Sequence, residues 1–218
     1  MTRPVTQLVP ILGTLAFLAM ILAAVSGGAP GTALALGTKG QGAMTARIER
    51  YLNSITTLHA RFLQVSPTGD LARGTILMSR PGKLRIDYDP PVPVLIVTEG
   101  KWLMLYDKEL ESSSYTSLKD SLAGFLVRPK IRLSGDVKVQ ALHKANKVIR
   151  VTIAQRESPE NGVLTLVFSE KPLILRQWAI IDGRGGATRV TLENPVFNQI
   201  IEAKAFEFTP PEREEDHE

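Results

Sequence analysis

The chain has 218 residues, 44% of them hydrophobic, with 26 Lys and Arg against 22 Asp and Glu and no cysteine. The small positive balance, with no concentrated Lys/Arg stripe, argues against a nucleic-acid binder. The absence of cysteine excludes a disulfide framework, a thiolate metal site, a cysteine nucleophile and a lipid anchor on an N-terminal cysteine.

Residues 1–35 read as an export signal. Arg3 supplies the positive start, LVPILGTLAFLAMILAAV the apolar middle, and Ala33-Leu34-Ala35 a small-x-small cleavage site. An uncleaved anchor is the competing reading, because the run just reaches the length of a bilayer span, but Pro10 and Gly13 interrupt it. Cleavage removes only Arg3 from the charge count, so net charge falls from +4 to +3, and residues 36–218 are expected to form a single domain.

After a Gly-rich lead, AMTARIERYLNSI sets Met44, Ile48, Tyr51, Leu52 and Ile55 at helical spacing, which predicts an amphipathic helix. Strands follow. Leu58, Ala60 and Phe62 alternate with His59, Arg61 and Leu63, and RGTILMS carries Ile76 and Met78. In RPGKLRIDYDPP, Leu84, Ile86 and Tyr88 take one side while Lys83, Arg85, Asp87 and Asp89 take the other. VLIVTEGKWLMLYD, with Trp102 and Met104, folds as a hairpin at Glu99-Gly100. TSLKDSLAGFLVRP returns to helical spacing through Leu118, Leu122, Phe125 and Leu126 and stops at Pro129. Strands resume with VKVQAL, KVIRVTIAQ, VLTLVFS, LILRQWAII, ATRVTLEN and AFEFTPP. About ten strands joined mainly by short turns predict one antiparallel, mainly β, meandering sheet, curved into an unclosed barrel with a helical cover.

Catalytic constellations are scarce. His59, His143 and His217 have no metal-ligand spacing, and Asp87 and Asp89 share their face with Lys83 and Arg85, as a mixed-charge solvated surface would. Gly183 to Gly186 lies between strands and reads as a hairpin turn rather than a phosphate loop. No metal, cofactor or enzymatic activity is expected, and EREEDHE, residues 212–218, is expected to be a disordered acidic tail. WLMLY, VLIV and FLV are apolar in both phases of the strand period. Either both faces of the sheet are covered or one lines a cavity, and pattern alone leaves both open.

The order HARFLQ (59–64), GTILMSRPGKLR (74–85), YDPP (88–91), LIVTEGKWLMLYD (95–107) and FEFTPP (206–211) resembles the LolA family, periplasmic carriers of outer-membrane lipoproteins. The likeness spans nearly all of residues 36–218. It implies an unclosed barrel lidded by helices over an apolar cavity for acyl chains, in a monomer of the periplasm. Cavity residues would be Phe62, Ile76, Met78, Leu84, Ile86, Tyr88, Trp102 and Met104, and lid residues Leu118, Leu122, Phe125 and Leu126. Arg80, before Pro81 at a strand end, would latch the lid. Implied partners are acylated lipoproteins as cargo, an inner-membrane lipoprotein-releasing ABC transporter, and an outer-membrane receptor or the outer membrane itself. A periplasmic lipid- or lipoprotein-binding sensor of the same fold is the alternative.

Overall fold

Helical spacing produces α1 (Thr38–Ser54), which starts five residues before the expected Ala43 although Gly40 and Gly42 are poor helix formers. The computed structural model describes residues 38–211 apart from Asp120, so the expected export signal and acidic tail lie outside the described residues. Within these bounds, no helix is long and apolar enough to cross a membrane.

Eleven strands follow: β1 (Thr57–Val65), β2 (Leu71–Ser79), β3 (Lys83–Tyr88), β4 (Val94–Glu99), β5 (Trp102–Asp107), β6 (Ser112–Ser117), β7 (Val137–Ala145), β8 (Val148–Gln155), β9 (Gly162–Glu170), β10 (Leu173–Asp182) and β11 (Ala187–Phe197). They form one antiparallel sheet in the order β6-β5-β4-β3-β2-β1-β11-β10-β9-β8-β7. Two meanders, one from each half of the chain, therefore meet where β1 pairs with β11, with Phe62 opposite Leu192 and Gln64 opposite Val190. The edges β6 and β7 do not pair, so the curved sheet stays open on that side. The chain between them carries α2 (Leu122–Leu126).

Two expected elements differ. The helix over residues 116–129 shrinks to α2, because residues through Ser117 belong to β6, a serine-rich strand with no apolar alternation to announce it. AFEFTPP is not a strand. Ala203–Phe206 forms a 3-10 turn, and the alternating Phe206 and Phe208 serve as plugs rather than as one face of a ladder. Phe206 is buried with Lys83 over its ring, and Phe208 packs on Tyr106 at 5.0 Å between centroids. The Glu207 carbonyl accepts from Arg85 Nη1 at 3.3 Å. This segment lies on the outer face of the sheet, where Leu95, Val97, Met104 and Tyr106 are buried beside Arg85 and Asp87.

The charged side of β3 is as mixed as its sequence suggests. Asp87 accepts from Lys108 Nζ at 2.6 Å and Arg85 Nη2 at 3.1 Å, and Arg61 pairs with Asp89. Partial burial of Asp87 favours the neutral acid, but the Lys108 and Arg85 hydrogen bonds outweigh it and hold the carboxyl below its ordinary range. Its stabilising effect is thus complete above the unfolded carboxyl pKa and lost as pH falls through the depressed folded value. In an acid titration followed by carboxyl NMR, Asp87 should titrate below a free aspartate, and Lys108→Ala should move its midpoint upward. An unmoved midpoint would show that Lys108 is not the dominant partner.

On the inner face, α1 buries Ile48 and Leu52, and Ile55 just after it is buried too. Tyr51 meets Phe168 edge-on at 5.9 Å, and its hydroxyl accepts from the Leu175 N–H at 2.9 Å. The loop after α2 is tied to the same helix: Asn53 exchanges two hydrogen bonds with the Ile131 backbone, and Glu49 accepts from the Leu133 N–H at 2.6 Å.

Candidate functional site

Strand alternation builds the inner face. Leu84, Ile86 and Tyr88 of β3 stand opposite Met78, Ile76 and Gly74 of β2, and Ile86 also stands opposite Ile96 of β4. Directly opposed residues of antiparallel strands share a face, so these side chains converge. With Leu58 and Phe62 of β1 they form one wall, and Leu164, Trp178, Ile180 and Val190 form the other. The walls flank a half-open cavity of about 170 Å³, to whose lining Leu126 of α2 also contributes.

Hydrogen-bonding side chains are few in this lining. Gln64 and Thr188 reach it, and Gln64 Oε1 already accepts from the Tyr88 hydroxyl at 2.8 Å. Burial pushes the Tyr88 pKa up, so the phenol stays neutral and donating at physiological pH. A buried water needs two to four polar partners, which this lining does not converge on one point, whereas an apolar ligand needs none. The volume lies below the roughly 300–1,000 Å³ of typical ligand pockets. A long apolar chain therefore requires the walls or the cover to move apart.

Of the expected cavity residues, Phe62, Ile76, Met78, Leu84, Ile86 and Tyr88 line this space. Trp102 and Met104 do not. Met104 stands opposite Val97, which stands opposite Arg85, so register puts it on the outer face. Trp102 shares that phase and is 44% exposed at the start of β5. In the cover, Phe125 is buried with the Arg128 guanidinium 5.0 Å from its ring, and Leu118 packs against the core from the turn before α2. The side chain of Leu122 lies outside the described residues.

Arg80 joins the two helices. Its Nε donates to the Leu126 carbonyl at 2.7 Å, and its Nη1 donates to the carbonyls of Ile55, at 3.1 Å, and Leu52. The backbone follows the same path, with Arg80 N–H on the Thr56 carbonyl and Gly82 N–H on the Val127 carbonyl, both at 2.8 Å. Helix-end carbonyls lack partners within the helix and carry partial negative charge, so a planar cationic fork suits them. Among the described residues no carboxylate pairs with this guanidinium, and its burial lowers the pKa to about 10, which still leaves it charged at neutral pH.

A family model described as "Outer membrane lipoprotein carrier protein LolA" matches residues 53–209, which include both walls, Arg80 and α2. The chain belongs to the LolA family. Among its relatives, an outer-membrane lipoprotein carrier protein from Azotobacter vinelandii is 30% identical over 76% of this chain and 84% of the relative. One of the same description from Chromobacterium violaceum is 26% identical over 82% and 89%. A solved LolA superfamily structure from Nitrosomonas europaea aligns over 75% of this chain and 97% of its own, at 11% identity and a TM-score of 0.42.

The second wall of this LolA-family cavity is what sequence reasoning missed. Trp178 and Ile180 share one phase of LILRQWAII, and their register partners Leu166, Leu164, Val190 and Thr188 continue it across β9 and β11. That phase was the available signal. On the first wall, Gly74 leaves room for Phe62, whose ring meets Tyr88 edge-on at 5.3 Å. A Cβ at Gly74 would stand 2.7 Å from the Phe62 ring and 2.3 Å from the Asp87 carbonyl. Gly74→Ala should therefore cost about 1–3 kcal/mol through overpacking, read as an earlier midpoint in urea unfolding. An unchanged midpoint would mean that the Phe62 ring and the Asp87 carbonyl both give way at little cost.

Proposed function

We propose that this chain is a periplasmic, non-catalytic carrier, exported by a cleaved signal and acting as one domain over residues 36–218. It takes the acyl chains of a lipoprotein into the cavity and passes the cargo to the outer membrane. The single observation that carries the reading is the apolar cavity beneath a short helix held at its end by one arginine. The relatives' description as outer-membrane lipoprotein carriers supports it.

The physical need is plain. Exposing an acyl chain to water costs about 0.8 kcal/mol per CH₂, hence on the order of 10 kcal/mol for one long chain. A carrier must cover that surface and also release it, which favours a cavity that is small when empty and a cover with two positions. Met78 in the wall suits repacking around chains of different length. Cargo would be received from an inner-membrane lipoprotein-releasing ABC transporter and given to an outer-membrane receptor or to the membrane itself.

The test is native mass spectrometry of the protein after incubation with inner-membrane vesicles holding a triacylated lipoprotein, its release machinery and ATP. A soluble one-to-one complex that disappears when the lipoprotein lacks acyl chains is the expected result. Binding of free lipid with no lipoprotein carried off would replace the carrier with a lipid sensor of the same fold.

A further inference from the structure

The cavity lining changes character along its length. Beneath α2 it is hydrocarbon and thioether only, built from Leu58, Met78, Leu84 and Leu126. The lining side chains that can hydrogen-bond, Gln64, Tyr88, Trp178 and Thr188, all sit towards the other end, near the turns at residues 66–70, 89–93 and 183–186. Leu58 and Gln64 mark the two ends on β1, and strand rise sets them about 20 Å apart.

Two groups at this polar end have donors to spare. Gln64 Oε1 accepts from the Tyr88 hydroxyl at 2.8 Å, but neither Gln64 Nε2 nor Thr188 Oγ1 has a hydrogen-bond partner among the described residues. Both residues are half-buried, and no fully buried side-chain nitrogen or oxygen among the described residues is left unpartnered, so these donors remain within reach of a ligand. No Lys, Arg or His lines the cavity. Arg80 lies at the opposite end, engaged by helix carbonyls. The turns beyond the polar end carry both signs of charge outside the lining: Asp182 accepts from the Arg184 and Gly186 N–H groups, Lys108 pairs with Asp87, Arg61 pairs with Asp89, and Arg184 is exposed.

Such an end matches a neutral acceptor. The carbonyl of an acyl ester or amide can take a hydrogen bond from Gln64 or Thr188, whereas an ionised carboxylate would be desolvated there without a counter-charge. We infer that Gln64, Tyr88 and Thr188 form a polar subsite that holds the ester or amide carbonyls of acyl groups, with the methyl ends directed beneath α2. The subsite rests on the carrier function proposed above and gives it an orientation. The protein part of the cargo leaves among the turns at the polar end, and α2 moves to make room for methyl ends rather than to serve as the doorway.

Trp178 reports on this orientation, because it and Gln64 both stand opposite Val190 and the chain's other tryptophan, Trp102, is exposed. In the protein as its host exports it, carrying Trp102→Phe, the methyl ester of a long fatty acid brominated beside its ester should quench Trp178 more strongly than the isomer brominated near its methyl end. Gln64→Leu with Tyr88→Phe and Thr188→Val removes the donors without stranding a hydroxyl. This triple variant should bind the methyl ester about ten-fold more weakly, while an alkane of equal length, which also checks that the cavity is intact, binds unchanged. The ionised fatty acid should bind the wild type more weakly than its ester. Stronger quenching by the methyl-end isomer, an ester affinity untouched in the triple variant, or a carboxylate bound as tightly as the ester overturns the subsite and leaves the carrier function standing. If neither ester nor alkane binds and neither isomer quenches Trp178, the acyl cavity fails and the subsite with it.

Discussion

Arg80→Leu is expected to loosen the cover over the cavity while leaving the sheet folded. The substitution leaves the carbonyls of Leu126, Ile55 and Leu52 without their donor, at the ends of both helices. A hydrogen bond to a charged donor contributes roughly 1.5–3 kcal/mol, but here part of the gain is offset by the desolvation of an unpaired cation. A net loss of about 2 kcal/mol at α2 corresponds to amide exchange about 30-fold faster there. The ladders of β1 with β2 and β11 do not involve the guanidinium, so their exchange should hardly change. Arg80→Lys should fall between the two, because an ammonium keeps the charge but lacks the fork that reaches both helices. Equal exchange over Leu122–Leu126 in wild type and Arg80→Leu would show that the arginine does not hold the cover.

Ile86→Asp should abolish acyl-chain uptake above neutral pH and regain part of it in acid. Ile86 stands between Ile76 and Ile96 in the cavity wall, with no cationic side chain among the residues that line it. An aspartate there, facing an apolar chain, has its charged form desolvated and its pKa raised. An unpaired buried charge costs several kcal/mol, so binding of a fatty-acyl probe should weaken by at least about 100-fold when the carboxylate is ionised. Lowering the pH through the raised pKa neutralises the group and should recover much of the affinity, whereas the wild type shows no such recovery. Ile200→Asp is the control, since Ile200 is 98% exposed and a charge there should leave uptake intact. Undiminished uptake by Ile86→Asp would place the acyl site elsewhere.

The first wall was legible because β3 alternates strictly, and water on one side of a strand requires charge there: Leu84, Ile86 and Tyr88 turn inward and Arg85 and Asp87 outward. β5 gave no such guide. WLMLYD is apolar in both phases, yet the buried phase is the outer one, Met104 and Tyr106, with Phe208 packed on Tyr106, while Leu105 on the inner side is exposed. Hence the mistaken inward placement of Trp102 and Met104. The Phe206 to Phe208 segment misled for a related reason, since two phenylalanines spaced by one residue plug an outer surface as well as they line a strand. β6 escaped notice because its position is fixed by the ladder to β5 and not by burial of its own side chains. The reach of Arg80 to α2 followed from family resemblance, and its second grip, on α1, connects residues 28 positions apart that no local pattern links.

The strand order places the middle of the chain at the rim of the sheet and its two ends at the centre. A cut between β6 and β7 would thus sever no ladder, and the fragments before and after it would still be joined by the β1–β11 seam. The gap in the fold and the natural breakpoint of the polypeptide coincide. Widening the gap would break no interstrand hydrogen bond, so what holds the two rims together is the cover between them, through the bonds of Arg80 to Leu126 and of Gly82 to Val127.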